Sequence, residues 1–71
     1  QRAYQIDEQL KNALGMAKAL GNIGSIHRDM GETEKALEYY QQAYNIDKKL
    51  GNQMGMAIAM DKIGIIYRKR K

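Results

Sequence analysis

His27 is the single histidine of the chain, and it is the first place to look for proton transfer or metal binding. An imidazole needs company in either role, whether a carboxylate to orient it or further His, Cys or acidic ligands to complete a metal shell. There are no cysteines and no second histidine, so a metal site built on His27 lacks the usual ligands, and a packed histidine is the simpler reading. Glu34 and Glu38 stand one helical turn apart. On a helix surface such a pair is more often solvated than an acid–base couple. The stretch Gly51-Asn52-Gln53-Met54-Gly55 has the glycines of a phosphate loop but not the Lys-Ser/Thr that should follow. No catalytic residue, cofactor or metal is therefore expected, and the chain reads as non-enzymatic.

Charge gives little more. Arg68, Lys69, Arg70 and Lys71 account for the whole net charge of +4, and the remaining body is neutral. A duplex-binding protein spreads its cations over a face that tracks phosphates; here they gather at one chain end. A solvated helix terminus is the reading, with contact to an acidic partner as the alternative and nucleic acid disfavoured. No apolar run approaches the ~20 residues of a membrane span, and no signal-peptide pattern opens the chain. With the lack of cysteine, this fits a cytoplasmic setting. The 71 residues allow one small domain of marginal stability, and a start at Gln1 rather than Met is what a segment of a longer protein would show.

The elements that must position these residues are announced by an internal repeat. Residues 4–31 laid over 44–71 pair Tyr4 with Tyr44, Ile6 with Ile46, Asp7 with Asp47, Leu10 with Leu50 and Asn12 with Asn52. The match continues through Gly15/Gly55, Met16/Met56, Ala17/Ala57, Ala19/Ala59, Ile23/Ile63, Gly24/Gly64, Ile26/Ile66 and Arg28/Arg68, without a gap. A fixed period of this size marks a solenoid whose units pack against their neighbours. There is no proline, and apolar residues recur with helical rather than alternating spacing. In 13–30, Met16, Leu20, Ile23 and His27 form a ridge flanked by Ala19, Ile26 and Met30, with Gly24 at its edge. Gly31 supplies a left-handed stop, Thr33 with Glu32 and Glu34 suits the next start, and Ala36, Leu37, Tyr40, Ala43, Tyr44 and Leu50 mark a buried side. Gly51 and Asn52 repeat the stop and cap, and Asn12 is expected to cap the earlier helix. Four helices follow, near 2–11, 13–30, 33–50 and 53–70.

The spacing Leu20-x2-Ile23-Gly24-x2-His27, then Ala36-x3-Tyr40 and Ala43, resembles the tetratricopeptide repeat. Met60-x2-Ile63-Gly64-x2-Tyr67 matches the first-helix half again, and Ala3 takes the place of Ala43. The resemblance implies an all-α, right-handed α-solenoid of antiparallel helix pairs. It divides the chain into 1–12, the second helix of an incomplete repeat; 13–52, one complete repeat; and 53–71, the first helix of a further one. Two features depart from the family pattern. The usual repeat is about 34 residues, whereas this period is longer and similar to that of kinesin light chains, and the proline that commonly closes the second helix is missing.

Proteins of that family hold peptides or partner helices in a concave groove lined by the first helix of each unit. The resemblance therefore points to a protein–protein interaction scaffold. On the helical wheel the matching stripe is Lys18, Asn22, Ser25 and Asp29, with Ile58, Asp61, Lys62 and Ile65 beside it. Ile58 and Ile65 would be apolar anchors, or ordinary exposed aliphatics. The carboxylate clamp of some family members is not expected, because Gly21 and Ser25 stand where it needs Lys and Asn. Asp7 and Asp47 are expected to reach the amino end of the following helix, at 13–16 and 53–56, unless they sit on a water-exposed rim. In the rival reading the chain is a self-assembling module, with helix 53–70 packing on helix 2–11 of another copy through Tyr4, Met56, Met60, Ile63 and Tyr67. Such a contact gives a dimer, ring or fibre.

Overall fold

The computed structural model describes residues 2–70, with side chains from residue 9 to residue 69. The described residues form three helices, α1 (Arg2–Asp29), α2 (Thr33–Leu50) and α3 (Gln53–Arg70), and no strand. Each runs antiparallel to the next, and α2 packs against both α1 and α3. The expected all-α architecture is present.

Both turns close with left-handed glycines, Gly31 at φ +84° and Gly51 at φ +70°. After α1, the Gly31 N–H donates to Arg28 O and the Glu32 N–H to His27 O; after α2, the Gly51 N–H donates to Lys48 O and the Asn52 N–H to Asp47 O. This paired pattern satisfies carbonyls that a helix end would otherwise leave open, and glycine adopts the required backbone without a Cβ penalty. The expected spans 33–50 and 53–70 are met by α2 and α3. Asn52 caps α3 as expected, its Oδ1 accepting from the Gly55 N–H at 3.3 Å. Glu32 precedes α2 without a side-chain cap bond, since its carboxylate accepts from His27 Nδ1 at 2.5 Å.

The expected break between 2–11 and 13–30 is not there. Residues 2–29 form one helix of 28 residues, so the four expected helices become three. The repeat itself supplies the reason. Forty positions before Gly51 stands Lys11, and for a residue with a Cβ it costs roughly 1–2 kcal/mol to enter the left-handed region that the turn demands. With no glycine to stop it, the helix continues through Asn12, which is exposed and starts nothing. Residues 13–16 therefore lie inside α1 and offer Asp7 no free amino end. The side chains of Ala3, Tyr4, Ile6 and Asp7 lie outside the described residues.

The packed face of α1 also differs from the expected ridge. Ala17 and Gly24 are buried, Leu20, Gly21, Ser25 and His27 half-buried, while Met16, Ala19, Ile23, Ile26 and Met30 are exposed. Small residues bring the helices together here: a Cβ placed on Gly24 would lie 2.8 Å from Tyr40 Cε1 and 3.2 Å from Ala36 O. Gly24 thus lies in the α1–α2 contact, where its missing side chain lets the α2 backbone approach closely. On α2, Ala36, Tyr40, Ala43 and Asp47 are buried. Ala36, Tyr40 and Ile66 of α3 form the core, with Leu37 and Ile63 packed beside them. Tyr44 and Leu50 are half-buried. The result is a thin slab of 51 × 20 × 12 Å.

Candidate functional site

α1 and α3 stand on the same side of α2 and leave a groove of about 410 Å³ between them. Tyr40, Ala43 and Asp47 of α2 form its floor; Leu14, Lys18 and Asn22 rise on the α1 side, and Met54, Ile58 and Lys62 on the α3 side. These walls are related by the repeat, since each α3 residue lies forty positions after its α1 counterpart. Within each wall the residues recur every fourth position, the spacing that keeps side chains on one helix face.

Polar contacts stitch the groove at two levels. At the middle, Ser25 Oγ and the Tyr40 hydroxyl share a hydrogen bond of 2.8 Å, and Lys62 Nζ donates to Ser25 Oγ at 3.4 Å. The same ammonium lies 5.8 Å from the centre of the Tyr40 ring, within reach of a cation–π attraction. One residue from each helix therefore meets at a single point. At the end near the α2–α3 turn, the Asp47 carboxylate is buried and accepts from Asn52 Nδ2 at 3.1 Å. A Cβ built on Gly55 would overlap the Asp47 carboxyl group. The carboxylate thus lies against the first turn of α3, where helix N–H groups favour negative charge. Of the two placements open to Asp47, this is the one at the start of the following helix and not the water-exposed rim, and it is reached with Asn52 as intermediary.

A chemical centre does not emerge elsewhere among the described residues, where no three His, Cys, Asp or Glu residues cluster to hold a metal. His27 stacks on Tyr39, ring centres 5.2 Å apart and nearly parallel. It is the packed histidine of the sequence reading, and it holds the α1–α2 turn through Glu32. The hydrogen bond from His27 keeps the Glu32 carboxyl below its ordinary range, against the opposing effect of desolvation and with help from the Lys35 charge. None of the described helices is long and apolar enough to cross a membrane.

The sequence model described as "Tetratricopeptide repeat" matches residues 1–49 and again residues 15–71, and so takes in the whole chain. The chain belongs to the tetratricopeptide repeat family. No curated protein and no solved structure matches it. Tetratricopeptide repeats are in general protein–protein interaction modules and typically non-catalytic.

Of the residues singled out from the sequence, Lys18, Asn22, Ile58 and Lys62 line the groove, and Ser25 joins it through its bonds to Tyr40 and Lys62. Three do not. Asp29 pairs with Arg28 Nε at 3.7 Å and borders a separate cleft with Thr33, Ile66 and Lys69. Asp61 is exposed and lies outside the lining; its repeat counterpart Gly21 lines the groove instead. Ile65 is half-buried and also outside the lining. Leu14 and Met54 are groove residues that the sequence reading missed. Their signal was present as the first members of the two fourfold-spaced series. Of the proposed self-association residues, Met56 and Ile63 are half-buried, Ile63 against the core. Met60 and Tyr67 are 59% and 56% exposed, and the Tyr4 side chain lies outside the described residues.

Proposed function

We propose that this chain is a non-catalytic interaction module that holds a peptide or helix of a partner protein in the α1–α3 groove. The observation that carries the reading is the pairing of walls: two helix faces of matched spacing over a floor of Tyr40, Ala43 and Asp47, with an open mouth. Leu14, Met54 and Ile58 offer contacts for aliphatic or aromatic side chains of the partner. Lys18, Asn22 and Lys62 set its polarity and favour acidic or carbonyl groups near the middle of the groove. Ser25 holds Lys62 in position. Asp29, Asp61 and Ile65 would meet only a partner that extends beyond the groove.

Fluorescence anisotropy against a panel of labelled peptides tests this. Peptides that combine a large apolar residue with acidic ones should bind, and Ile58→Asp should weaken that binding by at least tenfold while circular dichroism stays unchanged. Binding indifferent to both Ile58→Asp and Leu14→Asp, or no binding across the panel, would remove the groove from consideration. A second reading, self-association through α3, is favoured by the exposure of Met60 and Tyr67 on its outward face. Asp61 and Arg68 share that face, which makes it a poorer apolar surface.

A further inference from the structure

The floor of the groove ends on a charge that its walls do not answer. Asp47 is only 6% exposed, yet it lines the groove. Its Oδ1 accepts from Asn52 Nδ2 at 3.1 Å. No Lys, Arg or His pairs with it among the described residues. Among those residues no buried side-chain oxygen lacks a hydrogen-bond partner. Oδ2 makes no bond, so it is the edge of the carboxylate that reaches the groove. The Asn52 amide and the start of α3 hold one side of the charge, and the other is left for a ligand.

Apolar side chains surround that edge. Counted along the helices from the Gly24–Tyr40 and Gly55–Asp47 contacts, Leu14 and Met54 stand at the Asp47 end of the groove, and Lys62 stands beside Tyr40. A carboxylate beneath an apolar mouth suits a side chain with a methylene stem and a cationic head. A purely apolar side chain seated there would strip water from the charge without supplying a counter-ion, which is costly. An acidic one would meet it with like charge. The middle of the groove has the opposite sign, because Lys62 is held there by Ser25 Oγ at 3.4 Å and lies 5.8 Å from the Tyr40 ring centre. Asp47 and Tyr40 are seven residues apart on α2, about 10 Å at the helical rise. An extended chain spans that distance in about three residues.

We infer that the Asp47 end of the groove is a pocket for a lysine or arginine side chain of the partner, whose segment lies extended and places an acidic residue about three positions away on Lys62. The inference rests on the groove reading above and adds to it the sign and order of the partner's charges. Asp47 would accept a charge-assisted hydrogen bond from the cationic head, while Leu14 and Met54 cover the stem. Lys62 would take the partner's carboxylate, with Ser25 as its positioning residue.

The test uses labelled hexapeptides in which Lys stands three positions from Glu, in either order. Each is compared with a copy that has norleucine, a stem without the charge, in place of the Lys. By fluorescence anisotropy on the unmodified chain, the Lys peptide of one order should bind about tenfold tighter than its norleucine copy. The advantage should shrink in high salt. Asp47→Asn keeps the side-chain shape and should abolish the advantage, with circular dichroism as the check on folding. Lys62→Met should weaken the Lys and norleucine peptides alike, since it removes the contact to Glu. Norleucine peptides that bind the unmodified chain as tightly as their Lys counterparts would overturn the inference and leave the groove reading standing. So would an advantage that survives in folded Asp47→Asn. No binding by any peptide would remove the groove reading and this inference with it.

Discussion

Asp47 is buried against the start of α3, and what makes room for it there is a missing side chain. Its carboxylate fills the space that a Cβ on residue 55 would take, so Gly55 is the residue that lets a buried charge sit over the start of α3. Asn52 serves both sides, donating to Asp47 and accepting from the Gly55 N–H. Buried charge is costly unless partnered, and here the partners are a side-chain amide and the positive end of a helix. Gly55→Ala should therefore cost about 1–3 kcal/mol, since a methyl group must displace the carboxylate. Asp47→Ala alone should cost about 1–2 kcal/mol through the lost charged hydrogen bond. Combined, the two should cost clearly less than their sum, because the alanine at 47 vacates the space that the new methyl needs. Urea denaturation of the two single variants and the double variant measures this, and strict additivity would show that the two sites do not meet.

The repeat lets helices be compared with their own counterparts, and Gly24 and Gly64 make the sharpest pair. Gly24 faces the Tyr40 ring and the Ala36 carbonyl, whereas nothing lies within 4 Å of a Cβ on Gly64. Gly24→Ala should destabilise by roughly 1–3 kcal/mol by forcing α1 from α2. Gly64→Ala should stabilise by about 0.5–1 kcal/mol, because alanine loses less backbone freedom in an exposed helix interior. Thermal midpoints moving in opposite directions would bear this out; midpoints moving together would mean that identical letters do identical work. The same comparison explains what the sequence disclosed. α2 and α3 were legible to the residue because glycine stops and an asparagine cap are local signals. The break expected before residue 13 is absent, because Leu10 and Asn12 match the later turn while Lys11 between them does not match Gly51. The buried face of α1 differs from the expected ridge because close helix contact selects small residues, Ala17 and Gly21 as well as Gly24, over large apolar ones. The groove was legible at Lys18, Asn22, Ile58 and Lys62. Leu14 and Met54 precede the stripe that the wheel drew, Met54 at the start of α3 and Leu14 within α1, where a helix was expected to begin at 13.

As a whole the molecule is thin, 12 Å in its shortest extent, with α1 and α3 on one side of α2, and so thin a stack leaves its end helices half covered. Among the described residues only six apolar ones are buried, so each open face matters to net stability in a chain of this size. Lys11 decides how the α1 end is treated. A straight α1 is about 42 Å long, while a turn at residue 11 would lay 2–10 back along it, as Asn52 and Gly51 lay α3 along α2. The sequence of 3–10 repeats that of 43–50 at five positions, so the material for self-coverage is present and only the glycine is wanting. Lys11→Gly supplies it. Lys11→Gly should therefore make the molecule more compact in small-angle scattering and raise its thermal midpoint, with Met16 and Ile23 covered from within. If the variant instead kept its dimensions and merely lost about 1 kcal/mol, the usual cost of glycine inside an exposed helix, the straightness of α1 would have a cause other than the residue at position 11.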